Sequence, residues 1–237
     1  MSIWASGRRE VGRDKSEKLD GDFRRGFPIV QERVLDVHTL TRHNTSDPEA
    51  QMLSYILSYS FVLFAVAVRL LSGTGVLSMM GFTPLEASLL FFGSRMPRKQ
   101  VLAPMTMLIA CDLYLTLVKY QAHITWDQTV IWAWYIVPCL IGGLLKGRSK
   151  PLYIVGAALG SAVSFFLISN LGVWAAGYVG YPKTLTGLAA AYVAAIPFFE
   201  KGLVSNLAFS TLFFSVPVLI TMTRRNLAGR VHEDLAT

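Results

Sequence analysis

The stretch Val101–Val118, VLAPMTMLIACDLYLTLV, is 18 residues long and contains one charged residue, Asp112. At about 1.5 Å per residue, a helix of this length covers most of the roughly 30 Å of hydrocarbon in a bilayer. The stretch therefore predicts a transmembrane helix. A carboxylate inside such a helix is costly to keep there, which makes Asp112 a candidate functional residue.

The composition of the whole chain agrees with this prediction. The 237 residues are 53% hydrophobic and 16% charged, whereas an ordinary soluble domain has roughly 45–50% and about 25%. Met1–Ala50 holds 18 of the 37 charged residues, so the rest of the chain is more apolar than the average. An ordinary soluble domain is excluded for the region after Gln51.

The apolar runs on either side of Val101–Val118 predict an all-α, six-helix transmembrane bundle. The predicted spans are about 52–71, 82–95, 101–118, 130–145, 152–170 and 203–222. A further apolar segment, Leu185–Phe199, is predicted to be a re-entrant or interfacial helix on the outer side.

The basic residues orient this bundle, because cytoplasmic loops hold the excess of Lys and Arg. With six spans and the N-terminus inside, 18 basic residues lie in cytoplasmic segments and four, Arg69, Lys119, Lys183 and Lys201, lie outside. We therefore predict a multi-pass protein with both termini in the cytoplasm. Because the basic excess behind the net charge of +7 lies in loops between apolar spans, we interpret it as a sign of membrane orientation and expect no nucleic-acid partner.

The two ends of the chain are predicted to be tails. Residues 1–50 carry nine basic and nine acidic residues and no long apolar run, so they cannot bury enough surface to offset their ordering entropy. We predict a disordered cytoplasmic tail there, with a lipid-binding or twin-arginine role for the pairs Arg8-Arg9 and Arg24-Arg25 as the alternative. Residues 51–224 form the membrane domain, and 225–237 a second cytoplasmic tail.

Ionisable and polar residues gather on the outer side of the predicted bundle. Under the orientation above, an outward-facing small-molecule site is expected there. Its candidate residues are Arg69, Glu86, Asp112, Asn170, Trp174, Tyr181 and Asn206, with Tyr178 in the same loop. Two other interpretations remain open: Arg69 forms a structural ion pair with Asp112 or Glu86, and the aromatic residues form an interfacial belt.

Recognisable catalytic and nucleotide-binding motifs are missing from the sequence. It contains no H-E-x-x-H, no G-x-S-x-G and no P-loop, so we expect neither an enzyme nor a cofactor or metal site. Cys111 and Cys139 each lie in an apolar run and are expected to be small buried side chains.

Small residues at four-residue spacing predict close helix packing. Gly156, Gly160 and Ser164 share one face of the fifth predicted span, where a neighbouring backbone can approach. We expect this face to pack within the chain, with packing between two chains as the alternative.

Several spaced motifs resemble an uncharacterised family of small bacterial integral membrane proteins described as transport proteins. They are Phe82-Thr83-Pro84, Asp112-Leu113, Ser169-Asn170-Leu171-Gly172-Val173-Trp174, Tyr181-Pro182-Lys183-Thr184 and Ile196-Pro197-Phe198-Phe199. The resemblance covers about Arg69 to Phe214 and implies a protein of the bacterial inner membrane. Glu86 and Gly81 depart from the family pattern.

That family is similar in layout to the substrate-binding (S) components of energy-coupling-factor vitamin transporters. This likeness implies a small polar metabolite as ligand and coupling and ATPase subunits as partners, beside the lipid bilayer. It also implies that small residues of the first helix contact the coupling protein, here Ser54, Ser58, Ala65 and Ala67.

Two functions follow from these observations. The first is a solute-capturing transport subunit that partner subunits energise. The second is a membrane scaffold or accessory subunit, which would bind other helices through Gly156, Gly160 and Ser164 and peripheral partners through its charged tail.

Overall fold

The structure is a computed structural model that describes residues 48–72, 83–148, 150–177 and 179–234. Side chains at 225, 228, 229 and 231–234 are left out of the description. The predicted tail at 1–50 lies outside the described residues except for its last three, and so does Tyr178.

All regular structure in these ranges is helical, as the sequence predicted. The helices, numbered in chain order, are α1 (Pro48–Ser72), α2 (Leu85–Arg95), α3 (Leu102–Leu113), α4 (Trp126–Trp134), α5 (Ile136–Gly143), α6 (Pro151–Ala176) and α7 (Leu185–Asp234). A short 3₁₀ helix, Arg98–Gln100, precedes α3, and a π-helix, Tyr114–Lys119, extends it.

Four helical segments are long and apolar enough to cross a membrane. They are Pro48–Leu71, Arg98–Lys119, Pro151–Ala176 and Leu185–Arg224. Large apolar side chains on their outer surfaces are exposed, for example Leu152 at 78% and Val193 at 65%. A surface of this kind fits contact with lipid rather than water. The chain thus has the character of a membrane protein.

The other two predicted spans correspond to shorter helices. The predicted span 82–95 contains α2, which has 11 residues. The predicted span 130–145 is divided between α4 and α5, which meet at a one-residue turn at Tyr135. Neither α2 nor the α4–α5 pair reaches the length and hydropathy of the four long segments.

Neighbouring helical segments alternate in direction along the chain. Helices α6 and α7 are antiparallel, because Phe166 packs on Phe199 at 4.8 Å while Asn206, further along α7, donates to the Ala158 carbonyl at 2.9 Å. Pairs of contacts orient the other segments in the same way. Helix α1 is antiparallel to α7 (Phe61–Phe213 and Glu49–Arg224), and α2 is parallel to α7 (Thr83–Ser205 and Phe91–Phe214). Helix α3 is parallel to α1 (Tyr55–Gln100 and Arg69–Asp112), and α4 is antiparallel to α6 (Trp134–Ser164 and Val130–Gly172).

Helix α7 differs from the prediction. Leu185–Phe199 is no separate re-entrant or interfacial helix, because it continues without a break into the predicted sixth span and on to Asp234. Its 50 residues would extend about 75 Å if straight. The first half of α7 packs along α6, where the Tyr192 hydroxyl donates to the Leu167 carbonyl at 2.8 Å. This contact gives the apolar segment a partner helix.

Helix α2 forms the centre of the bundle, with eight of its 11 residues buried. It starts after Pro84 and ends before Pro97, whose ring disfavours a helical conformation at Met96; Met96 is accordingly extended. Two glycines bring α2 close to α5. A Cβ atom at Gly93 would overlap the Cys139 carbonyl, and one at Gly142 would overlap the Leu90 carbonyl.

Candidate functional site

Asp112 is 2% exposed and accepts hydrogen bonds from three side chains. Arg69 Nε donates to its Oδ1 at 2.5 Å, and Trp132 Nε1 and the Tyr135 hydroxyl donate to its Oδ2 at 3.0 and 2.7 Å. A carboxylate that accepts bonds on both oxygens and faces a guanidinium is a satisfied charge. We call Arg69, Asp112, Trp132 and Tyr135 the Asp112 cluster.

The cluster joins elements that are far apart in the chain. Arg69 comes from the last turn of α1, Asp112 from the end of α3, and the two aromatic residues from α4 and the turn after it. Of the two ion pairs that the sequence left open, the one between Arg69 and Asp112 is formed, and the one between Arg69 and Glu86 is not.

The backbone changes just after Asp112. Residues Tyr114–Lys119 form a π-helix, which continues α3 with wider turns. Single π-helical turns within α-helices are rare and are frequent at functional sites. Here the π-helix lies between Asp112 and the loop that leads to α4.

Arg69 keeps binding capacity beyond its bond to Asp112. Its side chain is 34% exposed, and within the described part of the chain only its Nε is hydrogen bonded. A guanidinium offers five N–H donors in a planar fork, which suits carboxylates and phosphates. The Asp112 cluster thus holds an arginine whose terminal nitrogens can meet another polar group.

A second polar cluster lies between α2, α6 and α7. Glu86 Oε2 accepts bonds from Asn206 Nδ2 at 2.8 Å and from the Ser161 hydroxyl at 3.2 Å. Asn206 Nδ2 also donates to the Ala158 carbonyl at 2.9 Å, and its Oδ1 accepts from Ser210 at 3.3 Å. We call Glu86, Ser161, Asn206 and Ser210 the Glu86 cluster. Glu86 and Asn206 were both predicted from the sequence as candidates, but their contact was not.

The three remaining candidates do not join either cluster. Asn170 Nδ2 donates to the Phe166 carbonyl of its own helix at 2.7 Å. Trp174 Nε1 donates to the Pro182 carbonyl at 3.0 Å, and Tyr181, next to that proline, is partly buried. The candidates thus fall into three separate places, and whether any of them binds a solute stays a prediction.

Lys183, in the loop after α6, bonds back to the C-terminal end of that helix. Its Nζ bonds to the carbonyls of Trp174 and Ala175 and lies 5.2 Å from the centre of the Trp174 ring. A cation at the C-terminus of a helix compensates the unpaired carbonyls there. This arrangement gives Trp174 and Lys183 a structural role.

The glycine face of α6 is open. Gly156 and Gly160 are exposed, and a Cβ atom at either would meet no described atom within 4 Å. Packing of these glycines within the chain, as predicted, is therefore not observed in the described residues. Ser164 does make an internal contact, since it accepts the Trp134 Nε1 hydrogen bond at 3.0 Å.

Several residues of both clusters were not among the candidates predicted from the sequence. Trp132 and Tyr135, three positions apart in the run Trp132-Ala133-Trp134-Tyr135, looked like ordinary apolar residues of a span. Their spacing, which places two polar tips on one helix face, was the available signal. Ser161 and Ser210 gave no signal, because single serines are common in membrane helices.

Comparison with known proteins gives a family without an assigned activity. No curated protein and no solved structure matches the chain. One family model, described as a family of unknown function (DUF6580), matches residues 50–228. The match includes every helix from α1 to most of α7, together with both polar clusters. The chain belongs to the DUF6580 family, whose function is unknown.

Proposed function

We propose that this protein captures a small polar or charged solute on the outer side of the bacterial cytoplasmic membrane, as a subunit of a transport system. The observation that carries the proposal is the Asp112 cluster. An arginine and an aspartate inside long apolar helices are rare, and such residues commonly mark solute or ion pathways. The pair is held by three hydrogen bonds, so its geometry is fixed before a solute arrives.

Arg69 is the proposed contact for the solute. Its Nε bond to Asp112 restrains the plane of the guanidinium, while its terminal nitrogens make no hydrogen bond to another described residue. The partly buried indole of Trp132 lies beside it on the same carboxylate. A carboxylate, phosphate or carbonyl group of the solute fits this fork best.

The proposed topology has six passes, with both termini in the cytoplasm. Its support is the distribution of basic residues, 18 in the inner segments and four in the outer ones. The alternating direction of the helical segments is consistent with it. In this topology the Asp112 cluster is nearer the outer surface.

Energy for transport would come from partners, since the sequence has no P-loop. We propose coupling and ATPase subunits as those partners. The surface of α1 proposed for this contact must be revised, because Ser58 and Ala65 are fully buried. Only Ser54 and Ala67 of the four small residues remain partly or fully exposed.

Purification in mild detergent, followed by mass spectrometry of co-eluting small molecules, tests solute capture. We expect the parent protein to retain a small polar molecule, and Arg69→Gln to lose it while remaining folded. Glu200→Gln is the matched control, because Glu200 is exposed on α7. A parent protein without any bound molecule, or an Arg69→Gln variant that retains it fully, would contradict the proposal.

A scaffold or accessory subunit is the second candidate. The open face at Gly156 and Gly160 favours it, because small residues let a helix of another protein approach closely. Under this hypothesis Gly160→Leu abolishes assembly in native gels, while Arg69→Gln leaves assembly unchanged. Deletion of residues 1–47 separates the two candidates further: a scaffold that acts through its tail fails, and a solute-capturing bundle does not.

A further inference from the structure

We propose that Glu86 is a proton-binding site, and that its side chain is a neutral carboxylic acid in the folded protein. The inference goes beyond the proposed function, because it concerns a proton held between α2, α6 and α7 and not the capture of a solute. The proton site is argued from contacts that need no solute.

The first argument is the lack of a positive partner for Glu86. Its recorded contacts, Asn206 and Ser161, are both neutral, and no ion pair joins Glu86 to another described residue. The Asp112 carboxylate, in contrast, has Arg69. Glu86 is partly buried. A counter-charge stabilises an ionised carboxylate that is shielded from water, and protonation removes the need for one.

The charged and titratable groups on the surrounding helices do not supply this counter-charge. On α1, Arg69 is bonded to Asp112, and on α5 the buried Cys139 has its backbone against Gly93, near the other end of α2. Lys201 and Glu200 on α7 are exposed. Helix α6, residues 151–176, has one titratable side chain, Tyr153, in its first turn. On α2 itself, Arg95 is the last residue, at the opposite end of the helix from Glu86.

The second argument is the one-sided hydrogen bonding of Glu86. Both donors, Asn206 Nδ2 and the Ser161 hydroxyl, bond to Oε2, and no described residue donates to Oε1. A carboxylic acid has this asymmetry, since one oxygen is a carbonyl that accepts and the other holds the proton. Protonation forms the Oε1–H bond, and release of the proton to water leaves the carboxylate with the same two donors.

The orientation of Asn206 supports a proton rather than a metal cation. Nδ2 donates to both Glu86 and the Ala158 carbonyl, so reversing the amide would place its oxygen against two acceptors. The amide therefore presents its NH₂ group to Glu86. A cation at this place would need oxygen lone pairs instead.

Infrared spectroscopy of the protein in lipid bilayers tests the proposal directly. At about pH 6 an ordinary glutamate, with a pKa of about 4.3, is ionised. We expect the parent protein to have a protonated-carboxyl band at this pH, which Glu86→Gln loses and Glu200→Gln keeps. Absence of the band in the parent, or its presence in Glu86→Gln, would overturn the proposal.

Two further measurements keep the test independent of how one variant folds. If Glu86→Gln does not fold, Glu86→Asp assigns the protonated-carboxyl band to residue 86, because it shifts the band without removing it. In the pH range where Glu86 is protonated in the folded protein but not in the unfolded chain, each increase of one pH unit raises the unfolding equilibrium constant of the parent tenfold. Glu86→Gln lacks this dependence; equal slopes in both proteins would contradict the proposal. Neither readout involves a solute, so the proton site and the proposed solute capture can fail separately.

Discussion

Replacing Gly142 by alanine is the sharpest test of the packing at the centre of the bundle. The added Cβ atom would lie 2.9 Å from the Leu90 carbonyl carbon and 3.0 Å from its Cα, whereas carbon atoms prefer a separation of about 3.5–4.0 Å. The neighbouring atoms belong to the backbone of α2, so no side chain can rotate away. Helices α2 and α5 must therefore move apart.

The expected cost follows from two opposing terms. Overpacking of a close-packed interior costs about 1–3 kcal/mol, and a clash with backbone belongs at the upper end of that range. Alanine in place of glycine within a helix returns about 0.5–1 kcal/mol. We expect Gly142→Ala to lose about 2 kcal/mol of the free energy of unfolding.

Gly160→Ala is the matched control, since it adds the same methyl group to a helix where no described atom lies within 4 Å. It should gain about 0.5–1 kcal/mol. The two variants thus differ by about 3 kcal/mol, roughly a hundredfold in the unfolding equilibrium constant. Chemical denaturation in detergent, followed by tryptophan fluorescence, measures this difference. Equal stability of the two variants would refute the reasoning.

Three further substitutions test other contacts by the same denaturation assay. Asp112→Ala should cost about 1–3 kcal/mol, because it leaves the partly exposed Arg69 and the donors of Trp132 and Tyr135 without their acceptor; an unchanged stability would contradict these contacts. Trp134→Phe should cost about 1 kcal/mol through loss of the bond to Ser164, and an unchanged stability would argue against that bond. Lys183→Met should cost about 0.5 kcal/mol at the end of α6, with Lys201→Met, exposed on α7, as the neutral comparison.

The helical class was predictable from the sequence because long apolar runs have few alternatives in a membrane. Val101–Val118 corresponds closely to α3 and its π-helical extension. The division of the fourth predicted span at Tyr135 was not predictable. Hydropathy averages over many residues and does not register a one-residue turn.

The continuity of α7 was missed for a physical reason. Pro197 and the charged pair Glu200-Lys201 are typical of a helix boundary in water. Within a bundle, however, neighbouring helices can compensate the backbone groups that a proline leaves free. The packing of Phe199 on Phe166 supplies such a neighbour.

The candidate site was predictable in part. Asp112, Arg69 and Glu86 stand out because charges inside apolar runs are costly. Their grouping into two clusters was not predictable, since it depends on which face of α2 meets which helix. Leu85 of α2 belongs to the apolar core that includes Tyr135, whereas the adjacent Glu86 meets α6 and α7.

Native mass spectrometry of the intact protein, released from mild detergent beside Arg69→Gln and Glu200→Gln, tests solute capture most directly. We expect a small-molecule adduct of the same mass on the parent and on Glu200→Gln, and none on Arg69→Gln. A parent protein without an adduct, or an adduct that all three proteins retain equally, would contradict capture of a solute at the Asp112 cluster.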